Sequence, residues 1–77
     1  MVEAYIFLHI RPGWAKKIVR VLAEVPEVAT IHDCWGRPDI IAYVKIADLK
    51  KLRELVLQRF HKVEGVEFTD THIVVDL

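Results

Sequence analysis

The chain has 77 residues, the length of one small domain, so we expect a single domain over residues 1–77. It carries 11 basic and 11 acidic residues, and this zero formal net charge lacks the overall basic excess that tight nucleic-acid binding requires. A single cysteine excludes an internal disulfide and a four-thiolate metal site. No apolar run approaches the ~18 residues of a membrane-spanning helix, and no N-terminal signal segment is visible. We therefore expect a cytoplasmic protein.

The first third of the chain predicts a strand followed by a helix. Ala4–Ile10 (AYIFLHI) is apolar almost throughout, which indicates a strand with both faces covered, and residues 11–13 (RPG) end it. Apolar residues then recur in one stripe at helical spacing. The members of that stripe are Trp14, Ile18, Val21, Leu22 and Val25. Pro26 ends the helical region.

The middle of the chain predicts two strands joined by a turn. Val28–Trp35 is rich in β-branched residues at its start, which favours a strand. Residues 36–38 (GRP) have the composition of a turn. Ile40–Ile46 (IIAYVKI) predicts a third strand, again apolar on both faces.

The last third predicts a second helix and a fourth strand. Asp48 is suited to the N-cap position, because its carboxylate can accept a hydrogen bond from the first free backbone N–H groups. The apolar stripe of this helix comprises Leu49, Leu52, Val56, Phe60 and Val63, and Gly65 ends it. Val66–Val75 alternates, with Thr69 and Thr71 on one face.

The predicted order is therefore β-α-β-β-α-β, which is typical of an α+β ferredoxin-like sandwich. Two helices can cover only one face of a four-stranded sheet, and the other face would expose apolar side chains of the first and third strands. Hydrophobic residues make up 53% of this small chain, which favours burial of such a face between subunits. We expect a homodimer formed sheet to sheet, in the manner of a dimeric α/β barrel.

Four segments carry a resemblance to a known family: FLHIRPG, VPEVATIHDCWGRPDIIAYV, DLKKLRELVLQRFHKVEGV and GVEFTDTHIVV. In this order and spacing they cover nearly the whole chain, which resembles the C-terminal effector-binding (RAM) domain of the Lrp/AsnC transcriptional regulators. The resemblance implies dimers that assemble further, often into octamers, with small effectors, usually amino acids, bound between dimers. It implies no enzymatic activity and no cofactor.

The resemblance also implies a particular form of the protein. In full-length regulators a helix-turn-helix domain precedes this domain, whereas here Met1 falls directly at the first strand. We therefore expect a stand-alone version that makes no direct contact with nucleic acid. It would bind an amino acid by itself or modulate full-length relatives by co-assembly.

The resemblance places the ligand-binding residues in two segments: Gly36, Arg37 and Asp39 in the loop, and Thr69 and Thr71 in the last strand. The resemblance implies that the glycine lets the loop backbone approach the ligand and that the aspartate faces its ammonium group. The threonine hydroxyls can donate and accept hydrogen bonds. A carboxylate with paired hydroxyls suits a zwitterionic amino acid.

The sequence departs from the family pattern at three places. Trp35 stands where a small or polar residue is more usual, Arg37-Pro38 replaces a pair that commonly includes an aromatic residue, and Asp70 lies where a basic residue is frequent. These changes leave three alternatives: a narrowed pocket, a different ligand, or an empty pocket that serves assembly alone.

Several of these residues have a simpler interpretation from composition. Asp39 can order a turn without touching a ligand, and Thr69 and Thr71 are ordinary strand residues. Gly36 is foremost a turn glycine.

The remaining reactive side chains leave catalytic and metal-binding alternatives. Cys34 could act as a nucleophile with His32 or His72 as its base, but no orienting acid follows at a recognisable spacing, so we interpret it as a small packed residue. The scattered histidines would hold a metal only across strands or subunits. A pocket around His9 or His72 inside one subunit would favour a small oxygenase- or isomerase-type enzyme, whereas a purely structural partner of other subunits needs no site.

Overall fold

Four antiparallel strands and two helical segments alternate in β-α-β-β-α-β order in the computed structural model, which describes residues 1–76. The elements are β1 Val2–Ile10, α1 Ala15–Leu22, β2 Val28–Asp33, β3 Ile40–Ile46, α2 Leu49–Leu55 with a π-helical turn Val56–Phe60, and β4 Val66–Ile73. The strands lie in the order β2-β3-β1-β4. The ferredoxin-like α+β fold is therefore confirmed.

The helices pack on one face of the sheet because alternate residues of β1 and β3 present aliphatic side chains there. These residues are fully or almost fully buried: Ala4, Ile6, Leu8, Ile10, Ile40, Ala42, Val44 and Ile46. Ile18 and Leu22 of α1, and Phe60 at the end of the π-helical turn, complete the core with no exposed surface. Burial of this aliphatic layer is the main favourable term in the folding free energy.

The opposite face of the sheet, which we name the open face, carries aromatic and aliphatic side chains together with polar ones. Alternation places Glu3, Tyr5, Phe7 and His9 of β1 on it. Tyr43 and Lys45 of β3 share this face, because they lie directly opposite Tyr5 and Glu3 in the register. As predicted, the face that the helices leave uncovered presents apolar side chains of both central strands, while Glu3, His9 and Lys45 add polar groups to it.

Both helices differ in detail from the predicted apolar stripes. Trp14 is the N-cap of α1 and is half-buried, while Val21 of the same stripe is 47% exposed. The α-helical hydrogen bonding of the second helix gives way to a π-helical turn, closed by a bond of 2.9 Å from the His61 N–H to the Val56 carbonyl. This turn keeps Phe60 in the core. The Asp48 N-cap is confirmed, because its Oδ1 accepts a hydrogen bond of 2.8 Å from the Lys51 N–H.

Two predicted strands end earlier than the sequence pattern suggests. β2 ends at Asp33 instead of Trp35, because the chain turns there and the Cys34 N–H donates a hydrogen bond of 2.6 Å to the Asp39 carbonyl across the loop. β4 ends at Ile73 instead of Val75, and the next residue, Val74, still donates its N–H to the Glu3 carbonyl of β1 over 2.9 Å. No helix within residues 1–76 has the length and apolar character needed to cross a bilayer.

Candidate functional site

The loop between β2 and β3 forms one wall of a cleft of about 320 Å³, and the turn between β1 and α1 forms the other. The lining residues are Ile10, Pro12, Gly13, Ala15, Asp33, Cys34, Arg37 and Asp39. Arg37 thus brings a guanidinium to the same cleft as the carboxylates of Asp33 and Asp39. We name this space the loop cleft. It offers one cation and two carboxylates within a space of the size of small-molecule sites.

Glycine is required at position 36 by the backbone. Its φ of +132° lies in a region that side chains with a Cβ rarely adopt, so the turn role of Gly36 is a property of the fold. A Cβ built at this position would meet no atom within 4 Å. The loop backbone is therefore open on that side, and Asp39, half-buried at its far end, is held by the Cys34–Asp39 backbone hydrogen bond.

Thr69 and Thr71 lie on the helix side of β4, as the alternation predicts, opposite Leu8 and Ile6 of β1. The Thr69 hydroxyl is hydrogen-bonded to Nε2 of His61, 2.7 Å away. Thr71 borders a mostly apolar groove of about 470 Å³ between α2 and β4, which Arg53 also lines. The two hydroxyls therefore have different neighbours, and the neighbour of Thr69 is a histidine that sequence reasoning left unassigned.

The two halves of the predicted ligand site do not meet within one chain. Thr69 lies opposite Leu8, Leu8 opposite Ile40, and Ile40 opposite Asp33, so these residues form a row across the sheet. Three steps between neighbouring strands span roughly 14 Å. Leu8 and Ile40 fill the intervening space beneath the helices. A ligand the size of an amino acid can touch both halves only if a second copy contributes one of them.

Cys34 shows no sign of an activated nucleophile. It is a free thiol of intermediate burial, and its Sγ lies 3.9 Å from the backbone carbonyl of His32. A backbone carbonyl cannot take the thiol proton as an imidazole base would. The side chains of residues 1–76 include no group of three or more His, Cys, Asp or Glu residues arranged to hold a metal ion.

Histidines and aromatic rings pair across the open face. His9 stacks on Phe68 with 4.0 Å between ring centroids, and its Nε2 lies 3.2 Å from Oδ2 of Asp70. The ring of His72 meets Phe7 edge-on at 4.7 Å. Both histidines that an enzyme would need inside a subunit therefore lie on the outer face of the sheet. The alternation of Phe68, Asp70 and His72 in the sequence carried this signal.

The model of the Lrp/AsnC ligand binding domain matches residues 3–76. The chain belongs to this family. An HTH-type transcriptional regulator of Pyrococcus horikoshii is 30% identical over 76 residues, which cover 99% of this chain and 48% of the regulator. The chain therefore spans about half the length of this curated relative, and that relative is described as a regulator of transcription.

Solved structures share the fold of this chain. The TTHA0845 protein of Thermus thermophilus has 28% identity and a TM-score of 0.94, with coverage of 100% of this chain and 96% of that chain. A Neisseria meningitidis transcriptional regulator, NMB0573, solved as a complex with L-Met, has a TM-score of 0.89 at 19% identity and covers 97% of this chain and 50% of that one. At that identity the likeness shows a shared fold alone.

Proposed function

We propose that this chain acts as a non-enzymatic amino-acid-sensing and oligomerisation module of the Lrp/AsnC type, working in the cytoplasm. The observation that carries the proposal is the loop cleft, where Arg37 and Asp39 line one space of about 320 Å³. The family to which the chain belongs is defined as a ligand-binding domain. The L-Met complex of the meningococcal regulator supports an amino acid as the ligand class.

The chemistry of the loop cleft suits a zwitterion. The Asp39 carboxylate would accept hydrogen bonds from the ligand ammonium, and the Arg37 guanidinium would bind the ligand carboxylate through two parallel N–H donors. Gly36 leaves the intervening backbone uncovered, so the ligand main chain can approach it closely. Thr69 and Thr71 would come from another copy of the chain, and their hydroxyls would supply the remaining hydrogen bonds.

Assembly is part of this function, because the two halves of the site lie at opposite edges of the sheet in one chain. The open face would pair with that of a second copy to form a dimer, with its exposed tyrosine and phenylalanine rings buried at the interface. Dimers would associate further, to an octamer or a similar ring, with the effector between them. Mixed assembly with full-length Lrp/AsnC regulators would connect effector binding to transcription.

The test is calorimetric titration of the purified chain with each of the common amino acids. We expect one or a few of them to bind and to raise the melting temperature, because a ligand that binds only the folded state stabilises it. Asp39→Asn removes the charge that faces the ammonium and should weaken binding about tenfold or more. Asp76→Asn is the matched control, since this exposed carboxylate lies outside the loop cleft.

Native mass spectrometry of the same samples separates sensing from assembly. If no amino acid binds and Asp39→Asn assembles like the unmodified chain, effector sensing is refuted, and a purely structural assembly partner is the better description. Equal weakening by Asp39→Asn and Asp76→Asn would also contradict a site in the loop cleft. Co-purification of a full-length regulator with the tagged chain would identify a mixed assembly.

The enzyme alternative finds less support in this geometry. His9 and His72 are engaged by Phe68, Asp70 and Phe7 on the open face, and do not converge beneath the helices on a common cavity. General acid–base catalysis needs the acting group within hydrogen-bond reach of the reacting atom. We therefore propose that the chain acts by binding and association.

A further inference from the structure

The zero net charge of the chain conceals a strong separation of charge between its two layers. The helical layer, residues 15–24 and 49–64, contains eight of the eleven basic residues and three of the eleven acidic ones, a formal net charge of +5. The rest of the chain contains three basic and eight acidic residues, a net charge of −5. A field of one sign over one face attracts ligands of the opposite sign.

Part of this positive charge converges on one cleft, of about 300 Å³, between α1 and the π-helical turn. Its lining residues are Trp14, Lys17, Val21, Gln58, Arg59, Lys62, Val63 and Glu64. We name this space the helix cleft. This lining includes three cationic side chains, one amide and one carboxylate. The volume of the cleft is large enough for a small ligand. It lies on the helical side of the molecule and shares no lining residue with the loop cleft.

The cations of the helix cleft lack anionic partners. Over residues 1–76, no carboxylate oxygen lies within 4.0 Å of a charged nitrogen of Lys17, Arg59 or Lys62. Glu64 lines the cleft but stays outside that distance, and Glu54 borders a neighbouring cleft next to Arg59 without pairing with it. Cations gathered in one cleft repel each other, and a bound anion would relieve that repulsion.

One end of the helix cleft is formed by the packed ring of Trp14. The Lys17 Nζ lies 5.3 Å from the centroid of the Trp14 ring, and the Arg11 guanidinium carbon lies 5.2 Å from it, both within cation–π range. The ring packs against Gly65, where an added Cβ would come within 2.9 Å of three Trp14 atoms. Trp14 is therefore held in place, and it gathers positive charge at one end of the cleft.

The π-helical turn carries the other side of the helix cleft. Gln58 and Arg59 lie within Val56–Phe60, where the hydrogen-bond spacing widens from that of the preceding α-helix. Phe60, at the end of the turn, is fully buried, which anchors the segment while its polar residues stay exposed. Single π-helical turns are frequent at functional sites in helices. Here the turn presents an amide and a guanidinium together to one cleft.

We propose that the helix cleft is a second ligand site, specific for a small, multiply charged phosphate-type anion. A guanidinium forms two parallel hydrogen bonds to a phosphate, and two ammonium groups add charge and further donors. The dimensions favour a compact metabolite with one or two phosphate groups. A nucleic-acid backbone would instead need an extended stripe of basic groups, since its binding draws on many phosphates at once.

The direct experiment is calorimetric titration of the chain with pyrophosphate, at constant ionic strength in a buffer without phosphate. The variant Trp35→Phe leaves Trp14 as the single tryptophan, so its fluorescence reports the same binding event from within the cleft. We expect saturable binding by both signals. The double variant Arg59→Gln with Lys62→Gln should raise the dissociation constant about tenfold or more, because it removes two charge-assisted contacts.

A second double variant, Lys16→Gln with Lys50→Gln, is the matched control. It removes the same charge from the helical layer at positions outside the helix cleft, and it should change the dissociation constant less than about threefold. Circular dichroism melts establish that both double variants fold. Equal weakening by the two double variants, or no binding up to about 10 mM pyrophosphate, would overturn the assignment.

Two further measurements distinguish a small phosphate metabolite from nucleic acid, and the helix cleft from the loop cleft. A short DNA duplex should compete poorly with pyrophosphate, and a duplex that displaces it at lower concentration would overturn the assignment to a small metabolite. Asp39→Asn should leave pyrophosphate binding unchanged, because the loop cleft is separate. Amino-acid binding should in turn survive the loss of Arg59 and Lys62, so that the failure of either site is recognised independently of the other.

Discussion

The phenol of Tyr43 donates a hydrogen bond to the Glu3 carboxylate across the open face, from β3 to β1. This hydrogen bond, assisted by desolvation and by the negative charge of Glu3, raises the pKa of Tyr43 from 10.0 to about 12. The neutral phenol is favoured because ionisation would remove the donated proton and place two negative charges side by side. The ring also lies beside that of Tyr5, tilted by 36° with 5.0 Å between the ring centroids.

We expect Glu3→Gln to lower the pKa of Tyr43 back towards 10. The pKa is raised in the folded state, so the contribution of this group to stability is complete below pH 10 and is lost as the pH rises from about 10 to about 12. Phenolate absorbance of the variant Tyr5→Phe follows Tyr43 alone, since the chain has two tyrosines. In the same Tyr5→Phe background, the control Glu67→Gln should leave the Tyr43 titration unchanged. An unchanged titration in Glu3→Gln would contradict the assignment of the raised pKa to the Glu3 contact.

Gly65 is required by both its conformation and its neighbour. Its φ is +98°, and an added Cβ would approach Trp14 atoms to 2.9 Å. Gly65→Ala should therefore lower the free energy of unfolding by about 2–4 kcal/mol, through backbone strain and overpacking together. Urea denaturation measures this loss directly.

The matched control for that substitution is Gly13→Ala. Gly13 also has a positive φ, of +87°, but a Cβ there would meet nothing within 4 Å. Its loss should be limited to backbone strain, about 1 kcal/mol. Equal losses at the two positions would show that the contact between Gly65 and Trp14 does not limit stability.

The fold was predictable because each element carried an independent local signal. Asp48 marked the start of α2 through its capping carboxylate, and residues 11–13 marked the end of β1. The order of six elements then admitted few arrangements. Element ends were less certain, since the end of β2 depends on where the Cys34–Asp39 hydrogen bond closes the loop, which is a tertiary property.

The candidate site was only partly predictable for a similar reason. The β4 alternation correctly put Thr69 and Thr71 on one face, but strand order separates them from Asp39 within the chain. No sequence motif marks the helix cleft, because Lys17 and Lys62 are far apart in sequence and line the same space only in the folded chain. The net charge of the whole chain is zero, so it gave no sign that the helical layer is positive and the rest of the chain negative.

The N-cap of α2 gives a direct test of local helix stability. The Asp48 carboxylate satisfies the backbone N–H of Lys51, one of the donors without a partner inside the helix. Asp48→Ala should lower the free energy of unfolding by about 1 kcal/mol. Asp48→Asn should lower it much less, because an amide oxygen accepts the same hydrogen bond. Urea denaturation of both variants provides the comparison; similar losses would assign the effect to charge instead of capping.

The open face predicts how the chain associates. Phe68 on β4 is 55% exposed in the single chain, and its ring stacks on that of His9. Sheet-to-sheet association would therefore bury a ring pair that is already formed in the single chain. Phe68→Lys should raise the dimer dissociation constant about 100-fold or more, because the ammonium would be buried without a partner. Leu49→Lys is the matched control, on the helical side with 57% exposure. Sedimentation velocity over a range of concentrations should give a monomer for the first variant and a dimer or a larger assembly for the second. Dissociation by Leu49→Lys alone would assign association to the helical face, because an exposed leucine outside an interface tolerates a lysine.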